Sequence, residues 1–203
     1  YINHAADYGI TTGTATADFP KVIQRSRDVA GGMSKGIHFL FKKNKITLID
    51  GHATLNKNKS VDVKDAAGKV TNYTANNIII ATGGRAKELP NLKIDGNKII
   101  DYKKAMSLES QPKRLVVVGA GAIGVEFAYF YNSIGTEVTV VEFMEQGLLP
   151  REDADISKEL SKIFTKKGIK VLANTGVEKV DTSGNECKVF VKSRKDGKEE
   201  TIT

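Results

Sequence analysis

Apolar side chains at Val22, Ile23, Val29, Met33, Ile37, Leu40 and Phe41 recur at helical spacing, predicting a long amphipathic helix from Pro20 to about Asn44. Pro20 follows Asp18 at a first-turn position, where a fixed φ and a missing N–H are tolerated. Gly31 and Gly32 interrupt this helix at a cost of ~1 kcal/mol each relative to Ala, offset only if another backbone packs closely there. Residues 1–19 are polar, contain Gly9 and Gly13, and read as loop or short extended pieces.

From Lys45 the period drops to two. Ile46–Ile49, His52–Leu55, Val61–Val63 and Lys69–Tyr73, separated by Asn-Lys and Asp-Ala-Ala-Gly turns, predict a small antiparallel meander. Asn77-Ile-Ile-Ile-Ala81 is a continuous apolar run, the form of a strand buried on both faces, and it exits into Thr82-Gly83-Gly84. Residues 85–112, with Pro90, Gly96 and Pro112, are irregular and mark a boundary. Beyond it, strand 114–118, helix 122–134, strand 137–142, helix 153–167 and strand 169–172 alternate in the βαβαβ order of a parallel sheet. Antiparallel strands at about 175–181, 187–193 and 198–203 close the chain. The expected fold class is α/β: a Rossmann-like domain over residues 86–203, and a first domain, residues 1–85, of helix, meander and apolar strand.

Composition narrows the function. The 203 residues, 40% hydrophobic and 27% charged, suit a soluble globular chain of one or two domains. No apolar run reaches the ~18 residues that span a bilayer and no signal sequence opens the chain, so a soluble, intracellular protein without a membrane partner is expected. The net charge of +7 comes from dispersed clusters, such as Lys42, Lys43, Lys45 and Lys166, Lys167, interleaved with acids, which reads as solvated faces rather than a nucleic-acid surface. Cys187 is the single cysteine, on a stretch that reads as strand, and cannot close an intrachain disulfide. His4, His38 and His52 show no metal-ligand spacing, so no metal site is expected. The first residue is Tyr1 and the last residues read as mid-strand, which suggests a fragment of something longer.

The chemistry gathers in Arg114-Leu-Val-Val-Val-Gly119-Ala120-Gly121-Ala122-Ile123-Gly124-Val125-Glu126, followed by Val138-Thr-Val-Val-Glu142. Gly119 permits the strand-to-helix turn, Gly121 lets the backbone approach a pyrophosphate, and Gly124 lets helix and strand pack closely. The helix that begins there turns free N–H groups and its positive dipole end toward phosphates. Glu142, at the end of the second strand, accepts from adenosine ribose hydroxyls and repels a 2′-phosphate, which favours NAD over NADP. Thr82-Gly83, leaving a buried strand, is a second candidate ligand site or an ordinary strand exit.

With these residues in view, nearly the whole chain resembles the flavin-dependent pyridine nucleotide–disulfide oxidoreductases. Four blocks carry the likeness: Gly31 to Ile46, Gly51-His-Ala53, Asn77 to Gly83, and Leu115 to Glu126 with Val140-Val-Glu142. The first points to the dihydrolipoamide dehydrogenase branch. The resemblance implies that residues 1–85 are part of an FAD-binding domain and 86–203 an NAD-binding domain. It implies that Ala53, through its backbone, and Thr82, Gly83 and Gly84 lie near FAD, while Gly119 to Glu126, Glu142 and Val177 line the NAD site. Glu126 would sit near the nicotinamide on the flavin side; alternatively it is a first-turn Glu favourable to the helix dipole. Ala122 departs from relatives that place a Tyr there to gate the nicotinamide pocket.

The family reaction passes electrons from dihydrolipoyl groups to a redox disulfide, to FAD, and then as hydride to NAD. Neither a CxxxxC pair, a second GxGxxG nor a C-terminal His-Glu pair is present, so no catalytic residue is expected in this chain, and the chain alone is expected to be inactive. For the parent enzyme the resemblance implies a homodimer in the cytoplasm, or the mitochondrial matrix of a eukaryote. Its partners would be lipoyl domains of 2-oxo acid dehydrogenase or glycine cleavage complexes. Other readings are a different disulfide reductase branch or a non-catalytic NAD(H)-binding module.

Overall fold

The computed structural model describes residues 2–203, and they divide into two compact units. One is Gln24–Arg85; the other joins the chain up to Ile23 to Ala86–Thr203. Helix α1, Phe19–Lys43, begins in the second of these and continues through the first.

Within Gln24–Arg85, strands β1 (His52–Leu55), β2 (Ser60–Lys64) and β3 (Val70–Thr74) form an antiparallel sheet in sequence order. The register pairs Ala53 with Val63 and Asp62 with Asn72. The Asn72 amide donates to the Asp62 carboxylate at 2.6 Å, which holds that carboxyl below its ordinary range. Two expectations fail here. Ile46–Ile49 is not a strand, and Asn77–Ala81 is neither a strand nor buried, Ile79 being 90% exposed. A strand needs a neighbour for its N–H and C=O groups, and among the described residues neither run has one. Nor does a backbone pack against Gly31 and Gly32, since a Cβ at either would meet nothing within 4 Å. Val29, Met33, Ile37 and Leu40, the predicted apolar face of α1, are correspondingly half exposed or more.

The other unit follows its sequence pattern closely. Strands β4 (Arg114–Val118), β5 (Glu137–Val141) and β6 (Lys170–Leu172) run parallel with β5 central. Helices α3 (Ala122–Ser133) and α4 (Ala154–Lys166) make the crossovers. Val138 and Val140 of β5 join Ala128 and Tyr131 of α3 and Phe164 of α4 in one core, together with Phe19. The opposite sheet face, through Val116, Val141 and Leu172, packs on Val177, Val189, Val191 and Ile202. These belong to the antiparallel sheet of β7 (Thr175–Asp181), β8 (Lys188–Ser193) and β9 (Glu199–Ile202). Strands covered on both faces have to be apolar at successive positions, which explains Leu115-Val-Val117; Val118, at the end of β4, is exposed. Cys187 lies just ahead of β8, half-buried and free, rather than within the strand.

Two segments read as irregular carry short helices. A 3-10 helix spans Ile2–Tyr8 with a kink at His4. Helix α2, Tyr102–Ala105, is capped by the Asp101 carboxylate, which accepts from the Lys104 N–H at 3.0 Å. The buried Tyr131 hydroxyl donates to the Ala105 carbonyl at 2.6 Å, tying α2 to α3, and burial pushes the phenol pKa up.

Candidate nucleotide site

The site begins where β4 ends. Gly119 takes φ +98°, a left-handed conformation that favours glycine, and its N–H donates to the Val141 carbonyl at 2.9 Å. The chain thus stays anchored to β5 for one residue beyond the strand before it turns. Ala120 is fully buried; its N–H donates to a Glu142 carboxylate oxygen at 2.6 Å and its carbonyl accepts from the Leu149 N–H at 2.8 Å. Both its backbone groups are therefore committed to the protein, and Ala120 supports the turn from behind.

Gly121 is the N-cap of α3, and a Cβ there would meet nothing within 4 Å, so its backbone borders open space. Gly124 is the opposite case: a Cβ would lie 2.0 Å from the Gly119 oxygen and 3.3 Å from Val117. The three glycines thus do three different things. The first helical amides, at Ala122 and Ile123, are among those that intrahelical bonding leaves without partners, and both residues are exposed. Val125 turns into the core. Glu126 is exposed and lies past the first turn of α3, which holds no acid, so the dipole reading of this residue does not apply.

Glu142 stands one residue past β5, 7% exposed, with its carboxylate between two backbone donors: Ala120 N–H and, at 2.8 Å, Met144 N–H. Its own N–H donates to the Leu172 carbonyl and its carbonyl accepts from Thr175 N–H, each at 2.9 Å. Each carboxylate oxygen retains a further lone pair for a hydroxyl donor. Val177 lies in β7, half-buried, opposite Val191, and its carbonyl accepts from the Asn91 amide at 2.8 Å. The sheet register breaks between Val177 and Lys179.

Sequence reasoning missed a neighbouring cluster. The Arg194 guanidinium lies 3.9 Å from the centre of the Phe143 ring and donates to the Phe143 carbonyl at 3.1 Å and the Asn174 side chain at 3.3 Å. Phe143 follows Glu142 directly and is exposed. No local spacing links Arg194 to Phe143, because the contact exists only once β8 folds beside β7. The remaining candidates belong to the other unit: Ala53 is exposed in β1, and Thr82, Gly83 and Gly84 are exposed in an irregular segment. Among the described residues no cluster of His, Cys, Asp and Glu could hold a metal, and no helix is long and apolar enough to cross a membrane.

Residues 7–202 match the family model for the pyridine nucleotide-disulphide oxidoreductases. The chain belongs to this family. Among curated pyridine nucleotide-disulphide oxidoreductases it is 41% identical, over 177 residues, to dihydrolipoyl dehydrogenase of Zymomonas mobilis, covering 87% of this chain and 38% of the relative. It is 38% identical over 201 residues to the Cupriavidus necator dihydrolipoyl dehydrogenase, covering 98% of this chain and 42% of that one. The solved structure of LpdA from Mycobacterium tuberculosis superposes with a TM-score of 0.83 at 25% identity, covering 98% of this chain and 43% of LpdA. A Cu(II) complex of the HOCl-induced flavoprotein disulfide reductase RclA from Escherichia coli gives 0.75 at 28% identity, covering 99% of this chain and 43% of RclA. The chain thus spans less than half the length of these relatives.

Proposed function

We propose that this chain is the central part of an NAD-dependent dihydrolipoamide dehydrogenase, with residues 86–203 forming a Rossmann-like NAD-binding domain and residues 1–85 part of an FAD-binding domain. The observation that carries the NAD assignment is the pairing of the Gly119–Gly124 turn with the buried carboxylate of Glu142. The open backbone at Gly121 admits a pyrophosphate, and the amides of Ala122 and Ile123 face it from the positive end of α3. Glu142 uses its remaining lone pairs on the adenosine ribose hydroxyls and excludes a 2′-phosphate. Val177 lines the NAD site, and Glu126 stands at its nicotinamide end, on the flavin side. These residues fit the nucleotide.

The FAD assignment rests on Ala53, Thr82, Gly83 and Gly84, and these exposed residues supply one side of a site rather than an enclosure. When bound, FAD and NAD supply two-electron transfer from a dithiol to the nicotinamide; this chain binds and orients. Identities of 38–41% to dihydrolipoyl dehydrogenases support dihydrolipoyl groups as electron donors. With that donor, the family resemblance implies a cytoplasmic homodimer, or one in the mitochondrial matrix of a eukaryote, serving the lipoyl domains of 2-oxo acid dehydrogenase or glycine cleavage complexes. The RclA likeness, at 28% identity, supports the second reading, a disulfide reductase acting on another disulfide.

Titration with NADH and NADPH tests the nucleotide assignment: NADH binds more tightly, and equal or tighter NADPH binding refutes it. For the substrate, the full-length gene product should reduce NAD with dihydrolipoamide. Turnover only with a different dithiol would favour the second reading.

A further inference from the structure

We propose that Glu142 is a positioning residue for the glycine turn as well as a ribose acceptor, its carboxylate holding Ala120 and Met144 together before any nucleotide arrives. Without it the turn has a buried donor and no partner. Ala120 is fully buried, so its N–H has no water to turn to, and the Glu142 carboxylate oxygen 2.6 Å away is the acceptor that meets it. The second oxygen takes the Met144 N–H at 2.8 Å, fixing the segment that leaves β5. One side chain therefore ties the end of β4 to the exit of β5, and it does so from a largely buried position. The Leu149 N–H completes the clamp by donating to the Ala120 carbonyl.

The geometry makes the charge and the length of this residue matter separately. Glutamine keeps the length but has one acceptor oxygen and one donor nitrogen, so one of the two N–H groups would face another donor. Aspartate keeps the charge but is one methylene shorter and cannot span both amides. Arginine supplies no acceptor. The consequence for cofactor choice, which rests on the adenosine-site reading proposed above, is that Glu142→Arg does not convert the site to NADPH. It releases the turn and weakens both nucleotides.

Amide hydrogen exchange in the nucleotide-free protein tests the inference apart from binding. In the unmodified protein the Ala120 and Met144 amides should be protected; rapid exchange at either overturns the proposal without any variant being needed. In Glu142→Gln one of the two, the amide left facing the side-chain nitrogen, should exchange about tenfold faster or more, the loss of one charge-assisted bond, while Val189 and Val191 in β8 stay protected as a control for folding. Glu142→Asp should lose protection at one of the two amides. Unchanged protection in Glu142→Gln would mean that the carboxylate serves the ribose alone. Failure of the NADH preference, with amide protection behaving as expected, would instead overturn the nucleotide assignment and leave the brace standing.

Discussion

Gly119 and Gly124 approach so closely that a single added methyl group on the second would lie 2.0 Å from the carbonyl oxygen of the first. That oxygen is backbone, held by the same turn that Val141 and Glu142 anchor, so it cannot swing aside like a side chain. Gly124→Ala should therefore cost at least ~1–3 kcal/mol of stability, the usual range for forced overpacking. Gly121→Ala meets open space at an ordinary φ of −68° and should leave stability nearly unchanged. It should weaken NADH binding nonetheless, because the new methyl group stands where the pyrophosphate approaches. Urea unfolding and NADH titration of the two variants check the contrast; equal stability losses would remove the distinction drawn between these glycines.

Tyr131→Phe should destabilise the protein by ~1–3 kcal/mol, since the Ala105 carbonyl loses its donor while the ring packing against Phe19 and Phe130 remains. Burial raises the folded-state pKa of the phenol, so its contribution is complete below the unfolded value of about 10 and fades as pH climbs through the folded one. The stability gap between wild type and Tyr131→Phe should narrow in strongly alkaline solution. A gap that widens there would contradict the burial argument.

Asp95 offers the opposite sign. Backbone N–H donors of Asn97, Ile99 and Lys98 hold its carboxyl below the ordinary range. A depressed folded-state pKa contributes stability that is present above the unfolded value, about 3.9, and lost as pH falls through the folded one. Asp95→Asn should be less stable than wild type near neutrality, and the two should converge in acid. Denaturant midpoints at a neutral and a strongly acidic pH would show it, and a constant difference would not fit.

Cys187 is the sole cysteine and stands ahead of β8, with no second thiol to close on it. Residues 1–203 by themselves should show no dihydrolipoamide-dependent NADH formation, with or without added FAD, and Cys187→Ser should bind NADH normally. Turnover present in the unmodified chain and abolished by Cys187→Ser would assign this cysteine a redox role.

The parallel sheet and its crossovers were legible because their causes are local: apolar runs at Leu115–Val118 and Val138–Val141, helical periodicity from Ala154, and glycines at fixed offsets. Ile46–Ile49 and Asn77–Ala81 carry equally good strand patterns and are not strands, since pairing depends on a neighbour that pattern alone does not supply. In the site, the positions of Gly121 and Gly124 followed from spacing. The bonds from Glu142 to Ala120 and Met144, and the stacking of Arg194 on Phe143, depend on how folded elements meet. No periodicity encodes them.

The exposed isoleucines after Asn77 bear on how this polypeptide behaves in the tube. Ile79 and Ile80 are 90% and 71% exposed, and no charged side chain interrupts the segment before Arg85. Short, uncharged, β-branched stretches of this kind seed stacking between molecules. Self-association through this segment should therefore rise with protein concentration, and light scattering across a dilution series would register it.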